Sequence, residues 1–369
     1  MNKFNIQLAI GLAMVVMIGI LATFAPIIVP QKELSIEEKA NHDGKFSLIT
    51  NKMSLITEEV NGETIYHYPP AKPFQFKDYP LGTDRNGYDL LSMLAFGCKI
   101  TLIAALGVAL FRLTFGTIIG LYLGLLRNKP SWWISVENAS SYIPLFLIVY
   151  LALLPVSFGE DRTPLVSIYQ LTSFFIILVG ILGLPSVIST IRKKTELIYE
   201  MPYILCSRSL GARKGRIALK HILPQLKENI LILLTTEMLA TITLMGQLGI
   251  FNIFIGGTIR YSSPVEYISF SNEWAGLVGQ SRGSIYSEQH IIVIPLLFLL
   301  FAIIGFSLIV KGINIFYGYE SKSAYLSFFK KRSHLFIKEK VESDKNKSNY
   351  SIDKELRGFN FINNNAKKQ

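Results

Sequence analysis

Two charged residues, Arg112 and Glu237, stand inside long apolar stretches of this 369-residue chain. A charged side chain in an apolar helix is costly unless it faces a cavity or finds a partner of opposite sign. The two residues could pair with each other, and Arg112 could instead pair with a neighbouring chain or line a packed polar contact between helices. If they bound an ion, they would form the site of an ion-coupled carrier.

The other residue types that commonly carry out chemistry are scattered. The chain has two cysteines, Cys98 and Cys206, and five histidines, and none of them has metal-ligand spacing. The sequence also lacks the glycine-rich loop that holds nucleotide phosphates, and it has no nucleophile placed beside a base. We therefore expect no catalytic residue, no metal site and no cofactor bound by this chain.

The distribution of apolar residues indicates a membrane protein. Hydrophobic residues make up 50% of the chain, and the charged ones crowd between long uncharged stretches. Six stretches have roughly the 20 residues that cross a bilayer as a helix, the conformation that satisfies backbone amides in lipid. The first could also be a signal peptide, but its length favours a retained helix. We predict an all-α fold with six transmembrane helices, at about residues 4–29, 101–126, 134–158, 171–191, 230–255 and 291–310.

The basic residues predict the orientation of these helices. The loop 192–228 holds nine lysines and arginines against three acidic residues, so we place it inside the cell together with both termini. This topology and a lysine-rich tail account for much of the net charge of +11. The sequence does not interleave aromatic residues with a basic groove, so we expect contact with the lipid bilayer and no nucleic-acid binding.

Four segments follow from this pattern. Residues 1–30 form the first transmembrane helix, and residues 31–80 form an extracellular insert. Residues 81–317 form a core of five transmembrane helices that includes the loop 192–228. Residues 318–369 form a basic cytoplasmic tail, whose composition is typical of a disordered segment.

The second predicted span carries small residues at helical spacing. Gly116, Gly120 and Gly124 recur every four residues. Such a face lets another helix approach closely in a membrane, so we predict a tight helix contact along it.

The loop 192–228 contains a punctuated apolar pattern. A first apolar set, from Tyr203 to Leu210, would line one side of a short helix that Gly211 breaks, and a second set from Ile217 onward would end at Pro224. A basic amphipathic helix lying on the bilayer surface would show similar composition. The two short segments with a turn between them favour instead a rigid bracket that fits a groove in a partner protein.

The second half of this loop resembles part of a known protein family. Residues 209–225 read SLGARKGRIALKHILPQ and resemble the conserved cytoplasmic loop of binding-protein-dependent ABC importer permeases. The resemblance implies a coupling helix that docks in a cleft of an ATPase subunit. The family's E-A-A triplet falls on Leu205, Cys206 and Ser207, so its glutamate is absent here. The residues that the resemblance implies for coupling are Leu205, Cys206, Ser207, Arg208, Gly211, Ala212, His221 and Pro224.

A second resemblance precedes the second span. Residues 79–102 read YPLGTDRNGYDLLSMLAFGCKITL and resemble the outer signature of the dipeptide, oligopeptide and nickel permease subfamily, with Tyr88 where the family has arginine. We expect Thr83, Asp84 and Asp89 to cap a helix that starts near Tyr88. A third, weaker resemblance covers residues 272–283. The signature positions are Leu81, Gly82, Thr83, Asp84, Gly87 and Asp89.

The resemblance implies the type I ABC importer permease fold, in the plasma membrane of a bacterium. It also implies three kinds of partner: a second permease subunit in a heterodimer, two ABC ATPase subunits that bind the ATP, and an extracellular substrate-binding lipoprotein. The solute would be a dipeptide, an oligopeptide, nickel or another small solute. A degenerate permease that acts as a sensory or regulatory membrane partner is the alternative that the missing glutamate motivates. A membrane-embedded enzyme is disfavoured, because the predicted spans carry neither paired acids nor histidine clusters.

Overall fold

The computed structural model describes residues 6–28, 53, 56–60, 63–126, 131–157, 167–262 and 265–317. The contacts discussed below lie in one compact unit, Met1–Ile313, while a second unit, Asn314–Gln369, is described only as far as Tyr317. The predicted basic tail and residues 31–52 of the predicted insert therefore lie outside the described residues.

Helices dominate the described part of the chain, which confirms the helical fold class. The structure also contains two short antiparallel hairpins that the sequence analysis does not predict. In them β1 (Ile56–Val60) pairs with β2 (Glu63–His67), and β3 (Thr258–Ser262) pairs with β4 (Val265–Ser269). The described chain also contains a π turn, Ala218–Ile222, and a 3₁₀ turn, Ser281–Tyr286. The helices are α1 (Ile6–Ile28), α2 (Leu90–Gly124), α3 (Ser131–Tyr142), α4 (Leu145–Ser157), α5 (Ile168–Tyr199), α6 (Pro202–Ser209), α7 (Lys214–Ile217), α8 (Leu223–Ile250), α9 (Trp274–Gln280) and α10 (His290–Phe316).

Five helical segments of the described chain are long and apolar enough to cross a membrane, so the predicted count of six is not confirmed. The predicted third span, 134–158, consists of two helices, α3 and the apolar 13-residue α4, with Ile143 and Pro144 between them. Proline has no backbone N–H and disfavours helix in the residue before it, so the prediction of one continuous helix is wrong there. The five segments are Ile6–Ala25, Leu90–Gly124, Ile168–Tyr199, Lys214–Ile250 and His290–Phe316.

The predicted fifth span, 230–255, also ends too late. Helix α8 stops at Ile250, and Asn252 has a φ of +60° that a continuing helix does not allow. A Cβ atom on Gly249 would lie 2.3 Å from the carbonyl oxygen of Ala275, so the start of α9 packs against the end of α8. Ile253 and Ile255 are buried in the apolar cluster beside these two helices, which explains their hydrophobicity without a longer span.

The helices α2 and α5 form the most extensive helix contact in the described structure. Cβ atoms placed on Gly116, Gly120 and Gly124 would lie 2.6–2.8 Å from side-chain atoms of α5. Only glycine lets the two backbones approach this closely, so the predicted tight contact is confirmed.

Helix α1 is packed into the same core. Its Ile18 is buried with Met93 of α2 and Phe306 of α10 in the main apolar cluster. A Cβ atom on Gly11 would lie 2.8 Å from the backbone nitrogen of Ile309, so α1 and α10 approach closely as well. The first helix therefore contributes buried surface to the helical core that positions the sites below.

Candidate functional site

The bracket, residues 200–224, is a helix–turn–helix segment that leads directly into α8. Pro202 begins α6, because a proline fits the first helical turn, where its missing N–H has no intrahelical partner to lose. Helix α6 ends at Ser209, and Gly211 has a φ of +83°, which residues with a side chain rarely adopt. The predicted break at Gly211 is confirmed.

Pro224 does not end a helix as predicted. It lies in the first turn of α8, which α7 enters through the π turn Ala218–Ile222. A π turn contains one more residue than an α-helical turn. It commonly accommodates an interruption of the backbone hydrogen-bond ladder such as the one that a proline causes. The bracket is therefore continuous with a helix of 28 residues rather than separated from it.

The apolar residues of the bracket divide between two faces. Ile204, Ile217 and Ile222 are fully buried in a cluster with α5 and α8. Leu205 and Leu210 are instead exposed, Leu210 by 88%. Neighbouring residues on a helix point about 100° apart, so Ile204 and Leu205 cannot share one face. The predicted single apolar side is wrong: isoleucines anchor the bracket and leucines face outward.

The residues implied for coupling lie mainly on the outward side of the bracket. Arg208 places its guanidinium carbon 4.6 Å from the ring centre of Tyr199. The amide of Gln225 donates to the hydroxyl of Tyr203 over 2.5 Å, which joins α6 to α8 and which sequence reasoning missed. The exposed face of the bracket thus combines leucine and basic side chains, and the buried isoleucines on its other face pack against α5 and α8. Leu205, Cys206, Arg208, Gly211 and Pro224 are exposed, and Ser207, Ala212 and His221 are half-buried.

The signature loop, residues 79–89, is a compact turn. Gly82 and Gly87 have φ values of +78° and +85°, a conformation that residues with a side chain rarely adopt, and they allow the chain to turn tightly there. The backbone N–H of Thr83 donates to the carbonyl oxygen of Ala71 over 3.1 Å, and the N–H of Ala71 donates to the hydroxyl oxygen of Thr83 over 2.8 Å. The end of the predicted insert is therefore bonded to the predicted core, against which Leu81 packs.

Asp84 holds the middle of the signature loop. One carboxylate oxygen, Oδ1, accepts hydrogen bonds from the backbone N–H groups of Asn86 and Tyr88 at 2.9 and 2.7 Å. The residue is 7% exposed, and burial raises the pKa of its carboxyl to about 6 in spite of these bonds. The negative charge of Glu266 on β4 adds to this rise in pKa.

Asp89 caps α2. Its two carboxylate oxygens accept from the backbone N–H groups of Leu91 and Ser92 at 3.3 and 3.0 Å. The predicted helix start near Tyr88 is confirmed, since α2 begins at Leu90. Of the three residues expected to cap it, only Asp89 does so, because Thr83 bonds to Ala71 and Asp84 bonds within the loop instead.

Residues 272–283 pack directly on α2. The indole N–H of Trp274 donates to the carbonyl oxygen of Leu94 over 2.8 Å. A Cβ atom on Gly97 would lie 1.6 Å from the carbonyl oxygen of Asn272, so a glycine is required at this contact. The second and third resembling segments therefore belong to one packed site.

Glu273 is the N-cap of α9 and is 1% exposed. Its carboxylate accepts from the backbone N–H of Ala275 over 2.8 Å. Burial raises the pKa of the Glu273 carboxyl to about 8, because the charged form is poorly solvated there. Burial therefore favours the neutral acid form of this side chain in the folded protein at pH 7.

We expect the Glu273→Gln variant to fold at pH 7, because an amide resembles the neutral acid in shape. In the unaltered chain, the raised pKa gives a stabilisation that is complete below about pH 4.5, the ordinary pKa, and is lost as the pH rises to about 8. Between these pH values, the free energy of unfolding of the unaltered chain falls by about 1.4 kcal/mol per pH unit. The variant lacks this pH dependence. Unfolding of both proteins in detergent from pH 5 to 8 checks this, and parallel stability curves would contradict it.

The two predicted intramembrane charges pair with each other. Nη1 of Arg112 on α2 lies 2.5 Å from Oε2 of Glu237 on α8, and both side chains are less than a tenth exposed. Nη2 of Arg112 also donates to the carbonyl oxygen of Val179 on α5 over 2.8 Å. A Cβ atom on Gly183 would lie 2.0 Å from the guanidinium carbon, so α5 leaves the room that the charge occupies. The ion pair and this hydrogen bond thus join three long helices through Arg112.

Comparisons with known proteins place the chain among transport proteins, although no family model matches it. The chain is 24% identical over 237 residues to the glutathione transport system permease protein of Pectobacterium atrosepticum, covering 63% of this chain and 70% of that protein. It is 24% identical over 271 residues to the dipeptide transport system permease protein of Alkalihalophilus pseudofirmus, covering 73% and 80%. An inner membrane ABC transporter permease protein of Escherichia coli is 25% identical over 209 residues, covering 55% and 56%.

The chain is a homologue of ABC transport permeases. A solved structure of the MetNI methionine ABC transporter in an inward-facing conformation matches with a TM-score of 0.41 and 18% identity, covering 60% of this chain and 96% of that one.

In this permease homologue, α8 connects the described site residues. Its 28 residues span about 42 Å at 1.5 Å each, enough to cross the bilayer. The bracket adjoins its first end, the ion pair lies along it, and residues 272–283 pack at its last end. Sequence reasoning identified these places but missed Val179, Gly183 and Gln225, whose roles come from contacts between distant segments. Among the described residues, no group of three or more histidine, cysteine or acidic residues could hold a metal ion.

Proposed function

We propose that this permease homologue is the transmembrane subunit of an ATP-driven importer for peptides or a related small solute. The observation that carries the proposal is the bracket, an exposed leucine and basic surface anchored by three fully buried isoleucines and continuous with α8. Peptide and glutathione are the solutes named for the similar proteins, and they suggest the solute class here.

The partners follow from the same proposal. A second permease subunit would complete the translocation path, two ATPase subunits would bind ATP and contact the bracket, and an extracellular binding lipoprotein would deliver the solute. The bracket and both termini would face the cytoplasm, with the signature loop and residues 272–283 outside. This chain would bind no nucleotide and have no ATPase site of its own.

The geometry supports a mechanism in which the bracket acts as a lever. When the ATPase subunits close on ATP, they would move the bracket, and the bracket would move α8 because no flexible loop separates the two. Glu237 on α8 would then carry Arg112 of α2 and the attached α5 with it. Such rigid-body movement of helices switches a path between outward-open and inward-open states, provided that the ATPases bind the two states with different affinity.

Two other functions have less support. An ion-coupled carrier would need Arg112 or Glu237 to be free for an ion, whereas each already binds the other in the described structure. A sensory or regulatory role is not favoured, since the similar proteins are named as transport permeases.

Deletion of the gene tests the proposal. We expect the deletion strain to lose ATP-driven uptake of a labelled peptide such as tri-alanine, and we expect a plasmid copy of the gene to restore it. Equal uptake with and without the gene, for a panel of di-, tri- and tetrapeptides and glutathione, would refute the proposed solute class.

A further inference from the structure

A cavity of about 380 Å³ lies where the signature loop meets the β3–β4 hairpin and the segment after α9. It is large enough for about a dozen water molecules at roughly 30 Å³ each, so it has room for an organic group rather than a single ion. Helix α8 has the bracket at its first end and this cavity near its last end, where Asn252 lines it. The cavity and the bracket therefore lie at opposite ends of α8, and the proposed coupling mechanism does not use the cavity.

Two acidic side chains that line this cavity form no ion pair with a described residue. Asp84 and Glu266 both border it, and the charge of Glu266 acts on Asp84. Neither residue forms a salt bridge with another described residue. A buried carboxylate without a cation is unfavourable, which agrees with the raised pKa of Asp84, and a bound cation would relieve it.

A third acceptor in the same cavity has no partner. The side-chain oxygen Oδ1 of Asn272 is buried and finds no hydrogen-bond donor within the described part of the chain, although the residue is only 4% exposed. Asn272 also has a φ of +52°, so the loop holds this amide at the cavity with an unusual backbone conformation. Buried polar atoms in native proteins normally have partners, so an unpaired one at a cavity indicates a missing donor.

The arginines of the cavity are already occupied by protein acceptors. Arg85 donates to the carbonyl oxygen of Gly283 and the hydroxyl of Ser287 at 2.8 and 2.7 Å, and it pairs with Glu288. Arg282 donates to the side chain of Asn252 and to backbone carbonyl oxygens. The hydrogen-bonding capacity that remains unused in the cavity is therefore that of acceptor atoms. A ligand group with several N–H donors would satisfy them.

Hydrogen bonds connect the walls of the cavity to one another. Arg85 ties the signature loop to the segment after α9, and Asp84 holds its own turn through two backbone N–H groups. Preformed surfaces that change little on binding are typical of protein docking sites, whereas a path that a solute crosses must open and close. These connections between the walls favour a docking partner over a solute in transit.

We propose that this cavity receives a lysine or arginine side chain of the extracellular binding protein, whose ammonium or guanidinium group pairs with Asp84 and Glu266 and donates to Asn272. The inference rests on the proposed function, because it needs an importer with a binding protein on this face. It adds the chemistry of the contact, a basic side chain that pairs with the two acids of the cavity.

The test measures uptake by a deletion strain that carries the Asp84→Asn/Glu266→Gln double variant, with labelled Ala-Ala-Ala and Ala-Arg-Ala supplied separately. Both replacements keep side-chain size and remove charge. We expect uptake of both peptides at limiting concentration to fall by about tenfold or more, because docking precedes every transport cycle whatever the solute. Asp78→Asn, which neutralises an exposed acid outside the cavity, is the matched control and should transport normally.

The outcomes separate the inference from the proposed function. Gene-dependent uptake by the unaltered chain tests the proposed function alone, and an immunoblot of membranes verifies that the double variant is present at the normal level. If only Ala-Arg-Ala uptake falls, the cavity recognises a basic solute and the docking inference is wrong. If neither uptake falls, the cavity binds no cation needed for transport, and the inference is equally overturned.

Discussion

Replacement of Glu237 by leucine should lower the free energy of unfolding of the purified chain by about 3–5 kcal/mol. The variant leaves the guanidinium of Arg112 buried, with the carbonyl oxygen of Val179 as its remaining partner. An uncompensated charge in an apolar site is far more costly than a neutral side chain. Unfolding in mixed detergent micelles, followed by circular dichroism, measures the change.

The double variant Arg112→Leu/Glu237→Leu should recover most of that loss. Removal of both charges leaves no unpaired ion, and replacement of a buried ion pair by apolar residues is often nearly neutral. Glu228→Leu on the same helix is the control, because Glu228 is only half-buried and should change stability by about 1 kcal/mol or less. If the single and double variants are equally unstable, the two charges do not depend on each other and the described pair is not the stabilising contact.

A valine at Gly211 should uncouple the transporter. The φ of +83° is strained for a β-branched residue by about 1–3 kcal/mol, so the turn between α6 and α7 would change conformation. No described atom lies within 4 Å of a Cβ atom built at this position, so the substitution acts through the backbone and not through a clash. We expect co-purification of the ATPase subunits or peptide-stimulated ATP turnover to fall by at least about tenfold.

Gly211→Asn is the matched control for this experiment. Asparagine also adds a side chain, but it tolerates positive φ far better than valine does. The asparagine variant should therefore keep most of the coupling that the valine variant loses. If ATPase subunits co-purify with the valine variant and turn over at the normal rate, the bracket is not the coupling element.

Local chemistry made several features predictable from the sequence. The long apolar runs identified the five long helices, Gly211 identified the turn in the bracket, and Asp89 identified the start of α2. The glycines of α2 identified a close helix contact. In each case one residue type has a strong physical preference that does not depend on distant parts of the chain.

Other features depend on contacts that the sequence does not display. Pro224 was expected to end a helix, but the π turn before it accommodates the missing N–H. The apolar run after Ile250 is buried beside α9 rather than helical, which depends on the approach of Ala275 to Gly249. A proline signals an interruption in a helix, but the surrounding packing decides whether the chain stops, bends or continues.

We propose above that this chain couples ATP hydrolysis on partner subunits to solute uptake. The most direct test is uptake of a labelled peptide by the purified complex in liposomes, with ATP supplied on the side of the bracket and the ion gradients collapsed by ionophores. The proposed function predicts uptake that requires hydrolysable ATP and continues without ion gradients. Uptake that proceeds without ATP and stops when the gradients collapse would contradict it and would return Arg112 and Glu237 to consideration as a carrier site.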